Sequence, residues 1–339
     1  MADLTDVVSV TRGLVDIDST TGREGDCVGW MASLLRDEGY QVVEQVVDGP
    51  RRNIYASRGT AEVVFSTHLD CVPPFFASRQ DGDLLFGRGS CDAKGIAASQ
   101  VAAVETLRRQ GISNVGLLFV VGEERGSDGA KKAQALAPGS KFLINGEPTD
   151  NRLGIGTRGA LRYNLRAKGR AAHSSFPELG ESAIEKLIDA LVLLRKMDFP
   201  EDSVLGRTHY TVGLMSGGVA PNVIPAEAEA EVMFRTVGDV PGLRALMTQL
   251  TTLVTLEEIL DVPPVKMPTV PGFETATFPY TTDIPFLSAW GTPLLYGPGS
   301  IHVAHTDNEH VNTSDLLRAV SDYATLAKWA LRSASCTNR

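Results

Sequence analysis

The chain has 339 residues, a length that suggests two domains of ordinary size. Its 41 Asp and Glu residues outnumber its 32 Lys and Arg residues, and the net charge of −9 argues against a nucleic-acid-binding protein. No apolar run approaches the roughly 20 residues of a membrane span, and the N-terminus lacks the basic and apolar regions of a signal peptide. The four cysteines do not form a disulfide scaffold, so we expect a cytoplasmic protein.

Helical and strand patterns alternate over the N-terminal part of the chain. Apolar residues recur at helical spacing in residues 4–17, 26–39 and 94–110. Apolar and β-branched runs predict strands, which are residues 41–47, 52–57, 61–67, 115–121 and 141–146. The run VGLLFVV is almost continuously apolar, as is typical of a strand buried on both faces. This alternation predicts an α/β fold with a mostly parallel sheet.

The pattern changes after residue 156 and returns near the C-terminus. The changed part predicts strands at 160–169, 208–218, 226–236 and 257–267, and helices at 181–197 and 241–255. This β-α-β-β-α-β order is that of a ferredoxin-like α+β domain. A Pro/Gly-rich stretch, MPTVPGF, follows as a linker, and a last helix is expected near residues 314–331. We therefore predict a discontinuous domain of residues 1–156 and 274–339, with a smaller domain of residues 157–273 inserted.

Polar residues follow several of the apolar runs, at the strand ends where α/β sheets place ligand sites. His68 and Asp70 lie two residues apart and would point to one face, as a metal ligand and the group that orients it would. Asp92 follows a Gly-rich turn just before a helix, where it is either a ligand or a helix cap. These positions predict a functional edge of the sheet.

Glutamates follow two further strands. Glu123 and Glu124 are adjacent at the end of the run 115–121, and Glu147 follows the run 141–146. Paired carboxylates are costly at a strand end unless a cation or a proton neutralises them, although a solvated acidic loop is the alternative.

Three histidines, His302, His305 and His310, lie within nine residues after a Gly/Pro turn, and we expect at least one to be a ligand or a base. Five strand-end loops thus supply five candidate ligands. They are His68, Asp92, Glu124, Glu147 and His305. Two imidazoles and three carboxylates suit zinc, or cobalt or manganese. Five ligands are too many for one tetrahedral ion and predict two ions bridged by a carboxylate.

Seven stretches occur in an order that identifies a family. They are STHLDCVPP, GRGSCDAKG, GEERGSDGAK, NGEPTD, GRAAHSS, NVIPAEAEAEVMFR and GPGSIHVAHTDNEHV. The chain resembles the two-zinc aminoacylase–carboxypeptidase family, which includes acetylornithine deacetylase, succinyl-diaminopimelate desuccinylase, acetyl-lysine deacetylase and glutamate carboxypeptidase. The resemblance implies a zinc-hydrolase catalytic domain with an inserted lid and dimerisation domain. It also implies hydrolysis of a linear amide bond by a hydroxide held between two Zn²⁺ ions.

The resemblance assigns the metal ligands. His68 and Glu147 would bind one zinc, Glu124 and His305 the other, and Asp92 would bridge them.

It also assigns residues around the metals. Asp70 would orient His68, and Glu123 would be the general base. His173 would stabilise the oxyanion, commonly from the partner subunit of a homodimer formed through the inserted domain. Asn222 and Arg235 would bind the substrate, with Arg235 pairing with a carboxylate.

The sequence departs from the family pattern at three positions. Met233 stands where members often have an acidic residue, and Cys71 and Cys91 stand beside Asp70 and Asp92 where other small residues are more usual. Either thiol could compete for metal, although a buried structural cysteine is the favoured interpretation.

The remaining histidines are assigned to non-catalytic positions. His305 is preferred to His302 as the ligand because it lies four residues before Glu309, as in the family pattern. His209 is expected in a partly exposed strand of the small domain, and His310 in a loop.

Three functions are compatible with the site that these residues predict. The first is removal of an acyl group, most simply acetyl, from an N-acyl amino acid, as in the acetylornithine and acetyl-lysine deacetylases. The second is a metallo-exopeptidase that cleaves a dipeptide or a C-terminal residue with the same site, and succinyl-diaminopimelate desuccinylase activity belongs with this alternative. The third is a non-catalytic binding module, which the presence of all five ligands and Glu123 disfavours.

Overall fold

A computed structural model describes residues 3–336, with side chains described through residue 334. The α-helices are α1 (Val7–Val15), α2 (Gly25–Asp37), α3 (Lys94–Arg109), α4 (Asp128–Ala133), α5 (Ala183–Arg195), α6 (Val240–Met247) and α7 (Thr313–Cys336). The strands in the first half are β1 (Gln41–Asp48), β2 (Arg51–Ser57), β3 (Val63–His68), β4 (Arg79–Asp81), β5 (Leu84–Phe86), β6 (Val115–Val120), β7 (Phe142–Asn145), β8 (Leu153–Thr157), β9 (Gly159–Lys168) and β10 (Ala172–His173). Those that follow are β11 (Glu201–Asp202), β12 (Gly206–Arg207), β13 (His209–Gly217), β14 (Val223–Ile224), β15 (Glu227–Thr236), β16 (Thr255–Val262), β17 (Val265–Lys266), β18 (Thr275–Phe278), β19 (Thr292–Leu295) and β20 (His310–Asn312).

The chain divides into two compact units. The first comprises Met1–Ile155, Met267–Ala276 and Thr282–Arg339, and the second comprises Gly156–Lys266 and Thr277–Thr281. The first unit has the mixed α/β architecture that the alternating pattern predicted. Within the described residues, no helix combines the length and the apolar composition needed to cross a membrane.

The first unit is built on a sheet whose four central strands, β6, β3, β7 and β19, are parallel, with antiparallel β1 and β2 added beside β6. Alternate residues of the central strands pack on opposite faces. Phe65 and Leu117 contact the core under α1, α2, α3 and α7, whereas Val64 and Leu118 pack on the other face with Trp290. The continuous apolar run of β6 is therefore explained, because helices and loops cover both of its faces.

The register of the parallel strands brings their carboxyl ends together. His68 of β3 lies opposite Val120 of β6, and Ser66 of β3 lies opposite Asn145 of β7. Asn145 is in turn opposite Leu295 of β19. The loops after these four strands consequently begin at one edge of the sheet, which is where an α/β fold collects polar residues around a ligand.

The second unit is an antiparallel sheet in the order β13-β15-β9-β16, which is the strand order of a split βαβ motif. Helices α5 and α6 cover one face through residues such as Leu187 and Leu243, which pack on Leu165 and Phe234. Arg166 on the opposite face pairs with a neighbouring strand's glutamate, so that face carries cross-strand charge pairs.

The elements differ from the predicted ones mainly at ends and in short strands. The helix predicted over 4–17 begins at Val7, because the Asp6 carboxylate accepts the Ser9 amide and caps it. The helix predicted over 241–255 ends at Met247 and continues as a 3₁₀ segment to residue 252. The hairpin of β4 and β5 with β20, and the pair β10–β14, were not predicted, since strands of two or three residues carry too little pattern.

Cys27, Cys71 and Cys91 are free and buried, and the side chain of Cys336 lies outside the described residues.

The turn after β6 is held by a partly buried arginine. The Arg51 guanidinium donates to both oxygens of Asp128, at 2.6 and 3.0 Å, and to Glu24 Oε1 at 2.9 Å. Gly122 has φ +79° and lies so close to this ion pair that a Cβ there would collide with the Asp128 carboxylate and the Arg51 guanidinium. Glycine is thus required immediately before the two glutamates at 123 and 124.

We expect Gly122→Ala to destabilise the protein more than Gly126→Ala. Both residues have positive φ, but a Cβ at Gly126 meets no heavy atom within 4 Å. Each substitution costs about 1–2 kcal/mol for the left-handed backbone, and Gly122→Ala adds about 1–3 kcal/mol for the collision. Urea unfolding measures the difference, and equal free energies of unfolding for the two variants would contradict the packing described.

Candidate metal centre and active site

His68 ends β3 with its ring oriented by the next turn. Its Nδ1 lies 2.9 Å from the Asp70 carbonyl oxygen, and because a carbonyl only accepts, Nδ1 carries the proton of this bond. When His68 is neutral, Nε2 therefore has a free lone pair. Nε2 lies 3.0 Å from Asp92 Oδ1, so this lone pair faces the cluster of carboxylates that the other loops supply.

Asp92 faces an imidazole with each of its two oxygens. Oδ1 lies 3.0 Å from Nε2 of His68, and Oδ2 lies 3.3 Å from Nε2 of His305. The residue that caps α3 is Ala93, and no side chain makes a capping hydrogen bond there. The structure thus does not support the interpretation of Asp92 as a helix cap. Its orientation is the one that a carboxylate between two cations needs.

One glutamate lies beside each of the two imidazoles that face Asp92. Glu124 Oε1 lies 2.9 Å from Nε2 of His305, and Glu147 Oε2 lies 4.0 Å from Nε2 of His68. Glu147 Oε1 is buried and has no hydrogen-bond partner among the described residues. Such an oxygen is costly to bury unless a further positive group binds it.

The pKa shifts within the cluster indicate that its carboxylates need nearby positive charge. Burial raises the pKa of Glu124, and burial together with repulsion from Glu123 raises that of Glu147. Hydrogen bonds from the two imidazoles hold the pKa of Asp92 below its usual value although burial opposes them. Asp92 and Glu124 raise the pKa of His305 to about 10. The imidazoles carry the positive charge that the carboxylates require.

These donors fit divalent metal ions. One atom each of His68, Asp92 and Glu124 lie within 4.8 Å of one another. Two imidazole nitrogens and three carboxylates are the ligand types of zinc, and the pairing of each imidazole with one glutamate around a shared aspartate suits two ions. The structure therefore contains a candidate metal site at the edge where the parallel strands end.

The Asp70 carboxylate does more than orient His68. It accepts the backbone amides of Glu123 and Glu124 at 3.1 and 3.2 Å and the Thr21 hydroxyl at 3.0 Å. Its Oδ1 is 3.5 Å from His68 Nδ1, which is farther than the Asp70 carbonyl. Asp70 thus fixes the turn that carries both glutamates, and sequence reasoning missed Thr21, which has no chemical signature of its own.

The Glu123 carboxylate is half-buried and makes no hydrogen bond with any residue that the structure describes. Burial raises its pKa, and repulsion from Asp283 and Glu124 adds to the shift against an attraction from His68. A carboxylate with a raised pKa and no partner is suited to accept a proton. Asp283, which the sequence analysis did not identify, is itself buried with its pKa raised to about 6 by burial.

His173 and Asn222 are brought together in the second unit by β10 and β14. His173 pairs with Val223, and the Ser174 amide donates to the Asn222 carbonyl at 3.0 Å. The Ser175 amide donates to His173 Nδ1 at 3.2 Å, so a neutral His173 carries its proton on Nε2 and can donate a hydrogen bond there.

Arg235 lies near the end of β15, in the four-stranded sheet of the second unit. It is half-buried, burial lowers its pKa, and it forms no ion pair with a described residue. His209 lies opposite Arg235 across the β13–β15 pair, and Arg158 Nη1 lies 2.6 Å from His209 Nδ1. Arg158 was missed because a lone arginine after a strand is an ordinary surface residue. The three side chains form a basic group, and none of them forms an ion pair with a carboxylate of the described residues.

The remaining candidates form no hydrogen bond with the proposed metal ligands. Burial raises the pKa of the Cys71 thiol to about 12, and it also raises the pKa of the Cys91 thiol. The Cys91 thiol donates to the Ser300 carbonyl at 3.4 Å. Both thiols are therefore protonated and packed rather than poised to bind metal. His302 is exposed, and His310 Nδ1 bonds the Asn308 carbonyl.

Comparison with known proteins identifies the class. A family model described as Peptidase family M20/M25/M40 matches residues 64–329, and the chain belongs to this family. It is 37% identical over 340 residues to a Peptidase M20 domain-containing protein of Schizosaccharomyces pombe, covering 96% of this chain and 85% of that protein. It is also 37% identical over 386 residues to a probable carboxypeptidase of Aspergillus clavatus, covering 97% and 85%.

Solved structures share the fold. A tripeptidase of Staphylococcus aureus superposes with a TM-score of 0.81 at 20% identity, covering 97% of this chain and 99% of that one. The Bacillus subtilis YXEP protein, described as a dinuclear metal binding peptidase, gives 0.72 at 16% identity, covering 97% and 98%. The chain is therefore a hydrolase of the M20 metallopeptidase family, whose members act on amide bonds and typically depend on two metal ions. The predicted family is confirmed at this level.

We expect metal binding to release protons. Because Asp92 and Glu124 raise the pKa of His305 to about 10, this imidazole is protonated at neutral pH without metal and must lose its proton to become a ligand. Affinity for Zn²⁺ should therefore rise as the pH rises toward 10. Calorimetric titration in buffers of different ionisation enthalpy counts the protons, with at least about one expected per chain.

Two variants isolate the source of these protons. His305→Ala should lower the number released, whereas His310→Ala, whose ring bonds the Asn308 carbonyl, should leave it unchanged. A wild-type titration whose heat is independent of the buffer would show that the imidazole is already neutral.

Proposed function

We propose that the protein is a metallo-exopeptidase of carboxypeptidase type, which hydrolyses the last amide bond of a short peptide with two Zn²⁺ ions. The ions are held by the two imidazoles and three carboxylates of the first unit. The donor set favours zinc, with cobalt or manganese as substitutes. The name probable carboxypeptidase, given to several relatives that match nearly the whole chain, supports this substrate class.

The observation that carries the proposal is the basic group of Arg235, Arg158 and His209. Arg235 is half-buried, lies opposite His209 in the sheet and forms no ion pair with a described residue, so an anion would stabilise its guanidinium. Arg158, which contacts His209, adds positive charge nearby. A terminal carboxylate is the anion that a carboxypeptidase substrate brings next to its scissile bond. Arginine binds such a group with two parallel hydrogen bonds.

The same carboxylate is present in N-acyl amino acids. Removal of an acetyl group, as by the acetylornithine and acetyl-lysine deacetylases, therefore uses the same recognition and is the second candidate. Desuccinylation, the other alternative, needs the same recognition. The names of the relatives support the peptidase better than the deacetylase. Both reactions break an amide whose nitrogen is attached to the carbon that bears the carboxylate.

The residues divide the chemistry between them. When bound, two divalent ions polarise the amide carbonyl and acidify water. Glu123 accepts the proton of the attacking water and returns it to the leaving nitrogen, which its raised pKa favours. His173 donates from Nε2 to the oxygen that becomes negative, and Asn222 contacts the substrate beside it. Asp70 holds the turn of Glu123 in place.

The distance between these residues supports a homodimer formed through the second unit. Arg235 and Glu227 are eight residues apart along β15, which is about 26 Å, and His173 and Asn222 lie beyond the Glu227 end. Within one chain, Arg235 is therefore too far from His173 to contact the same small substrate. In a homodimer, the partner subunit would supply its histidine and asparagine at these positions. The edge strand β13 carries the exposed Leu214, 64% exposed, and Val219, 88% exposed, follows two residues after the strand ends.

Substrates with and without a free carboxylate test the proposal. We expect the Zn²⁺-loaded protein to cleave dipeptides and tripeptides and to lose about 10- to 200-fold in kcat/KM when the C-terminus is amidated, since a hydrogen bond to a charged group contributes about 1.5–3 kcal/mol. Arg235→Met should remove most of this discrimination. Arg166→Met is the matched control, because Arg166 pairs with Glu257.

Each alternative has its own outcome in that panel. Cleavage of N-acetyl-ornithine or N-acetyl-lysine but not of peptides would replace the peptidase with the deacetylase. Equal rates on free and amidated peptides would contradict the role of Arg235.

The adjacent glutamates should behave differently. Glu123→Gln is expected to keep both metal ions and lower kcat by about 100- to 10,000-fold, because only the proton carrier is lost. Glu124→Gln should lose metal, because Glu124 contacts His305 in the metal cluster. Metal content by plasma emission together with kcat measures both effects, and an active Glu123→Gln variant would exclude Glu123 as the base.

A further inference from the structure

Glu309 is a fully buried carboxylate that no step above uses. It lies on the same loop as His305, four residues later. Its side chain is directed toward the Gly-rich turn that precedes α3 and ends in Asp92. Contacts between these two segments join parts of the chain more than 200 residues apart, since the bond from Gly89 to Glu309 spans 220 positions.

The Glu309 carboxylate organises that turn through its backbone amides. Oε1 accepts the amides of Gly89, Asp92 and Cys91 at 2.9, 3.1 and 3.3 Å. The Gly87 amide donates to the Glu309 backbone carbonyl at 3.1 Å. A turn whose amides converge on one oxygen has little freedom to rotate, so the direction of the Asp92 side chain depends on where this oxygen lies.

A buried arginine neutralises Glu309. Arg88 Nη1 donates to Oε2 at 2.6 Å, and Arg88 Nε donates to the Pro74 carbonyl at 3.1 Å. The guanidinium also lies over the Phe76 ring, 5.0 Å from its centre. The carboxylate is therefore fixed on both sides, by amides on Oε1 and by a guanidinium on Oε2.

We infer that Glu309 is a positioning residue for the metal centre, which holds Asp92 so that its two oxygens face different ions. The inference rests on the two-metal site proposed above. Glu309 also connects the ligands of the two sides, because its loop carries His305 while its oxygen holds the turn of Asp92. Groups that orient a metal ligand without touching the metal typically contribute 10- to 100-fold to affinity.

Glu105 provides a matched control. It is also a buried carboxylate in the first unit, and it accepts the Tyr40 hydroxyl at 2.5 Å and Arg108 Nε at 2.8 Å. It contacts none of the metal ligands through these bonds. Substitution of Glu105 thus disturbs a buried, arginine-paired carboxylate without disturbing the turn of Asp92.

The test compares Glu309→Gln with Glu105→Gln in the full-length protein. A glutamine at 309 cannot accept hydrogen bonds from both the turn amides and Arg88. If its carbonyl oxygen faces the amides, its NH₂ group faces the Arg88 guanidinium, and both are donors. We expect Glu309→Gln to weaken binding of at least one Zn²⁺ ion by about 10- to 100-fold, measured by competition with a chromophoric chelator. The visible spectrum of the Co²⁺-substituted variant should change as well. Glu105→Gln should leave both readouts at their wild-type values.

A second variant guards against loss of folding. Glu309→Asp keeps a negative charge for Arg88 but withdraws its oxygen from the amides, so it should fold and still weaken Zn²⁺ binding. Unchanged Zn²⁺ affinity in a folded Glu309→Gln or Glu309→Asp variant would overturn the inference. Equal weakening in Glu105→Gln would overturn it too, because the effect would then follow stability alone. A wild-type protein that binds fewer than two Zn²⁺ ions would instead refute the proposed metal centre.

Discussion

Carboxylates brought close together repel one another, and they can stay together only if cations or protons neutralise them. Glu124 and Glu147 follow the parallel strands β6 and β7, Asp92 joins them from the turn before α3, and burial raises the pKa of both glutamates. In the structure, the imidazoles of His68 and His305 supply the positive charge. In the metal centre that we propose, metal ions would replace these protons, and the stability of the cluster and its chemistry would depend on that exchange.

The fold makes this convergence unavoidable. The parallel strands β3, β6, β7 and β19 are in register, so the loops that follow them share one edge. Fine positioning then depends on backbone amides. The Asp70 carboxylate accepts the amides of Glu123 and Glu124, and the Glu309 carboxylate accepts that of Asp92. The buried Asp70 and Glu309 thus hold the backbone of the turns that carry the proposed general base and two of the proposed metal ligands.

Much of the site could be predicted because its signal is local. An apolar strand followed by His68 or by Glu123 and Glu124 is visible in a few residues, and strand topology then implies proximity. One alternative could be decided only from the structure. Asp92 could have been a helix cap, and only its contacts with two imidazoles distinguish a shared ligand from a cap.

Other parts were not predictable because they depend on contacts between distant segments. Glu309 served in the sequence only to locate His305, and its hold on the turn at Gly89 spans 220 positions. Asp283 follows no apolar run, and its significance is its burial. The choice of deacetylase over peptidase was less well supported by the relatives because both reactions place a carboxylate beside the scissile amide, so the same motifs serve both.

Diffraction from crystals grown with Zn²⁺, measured on both sides of the zinc absorption edge, would locate the metal ions. We expect two anomalous peaks per chain. One should lie next to His68 and Glu147, the other next to Glu124 and His305, with one Asp92 oxygen on each. A single peak, or two peaks of which neither contacts Asp92, would contradict the proposed metal centre.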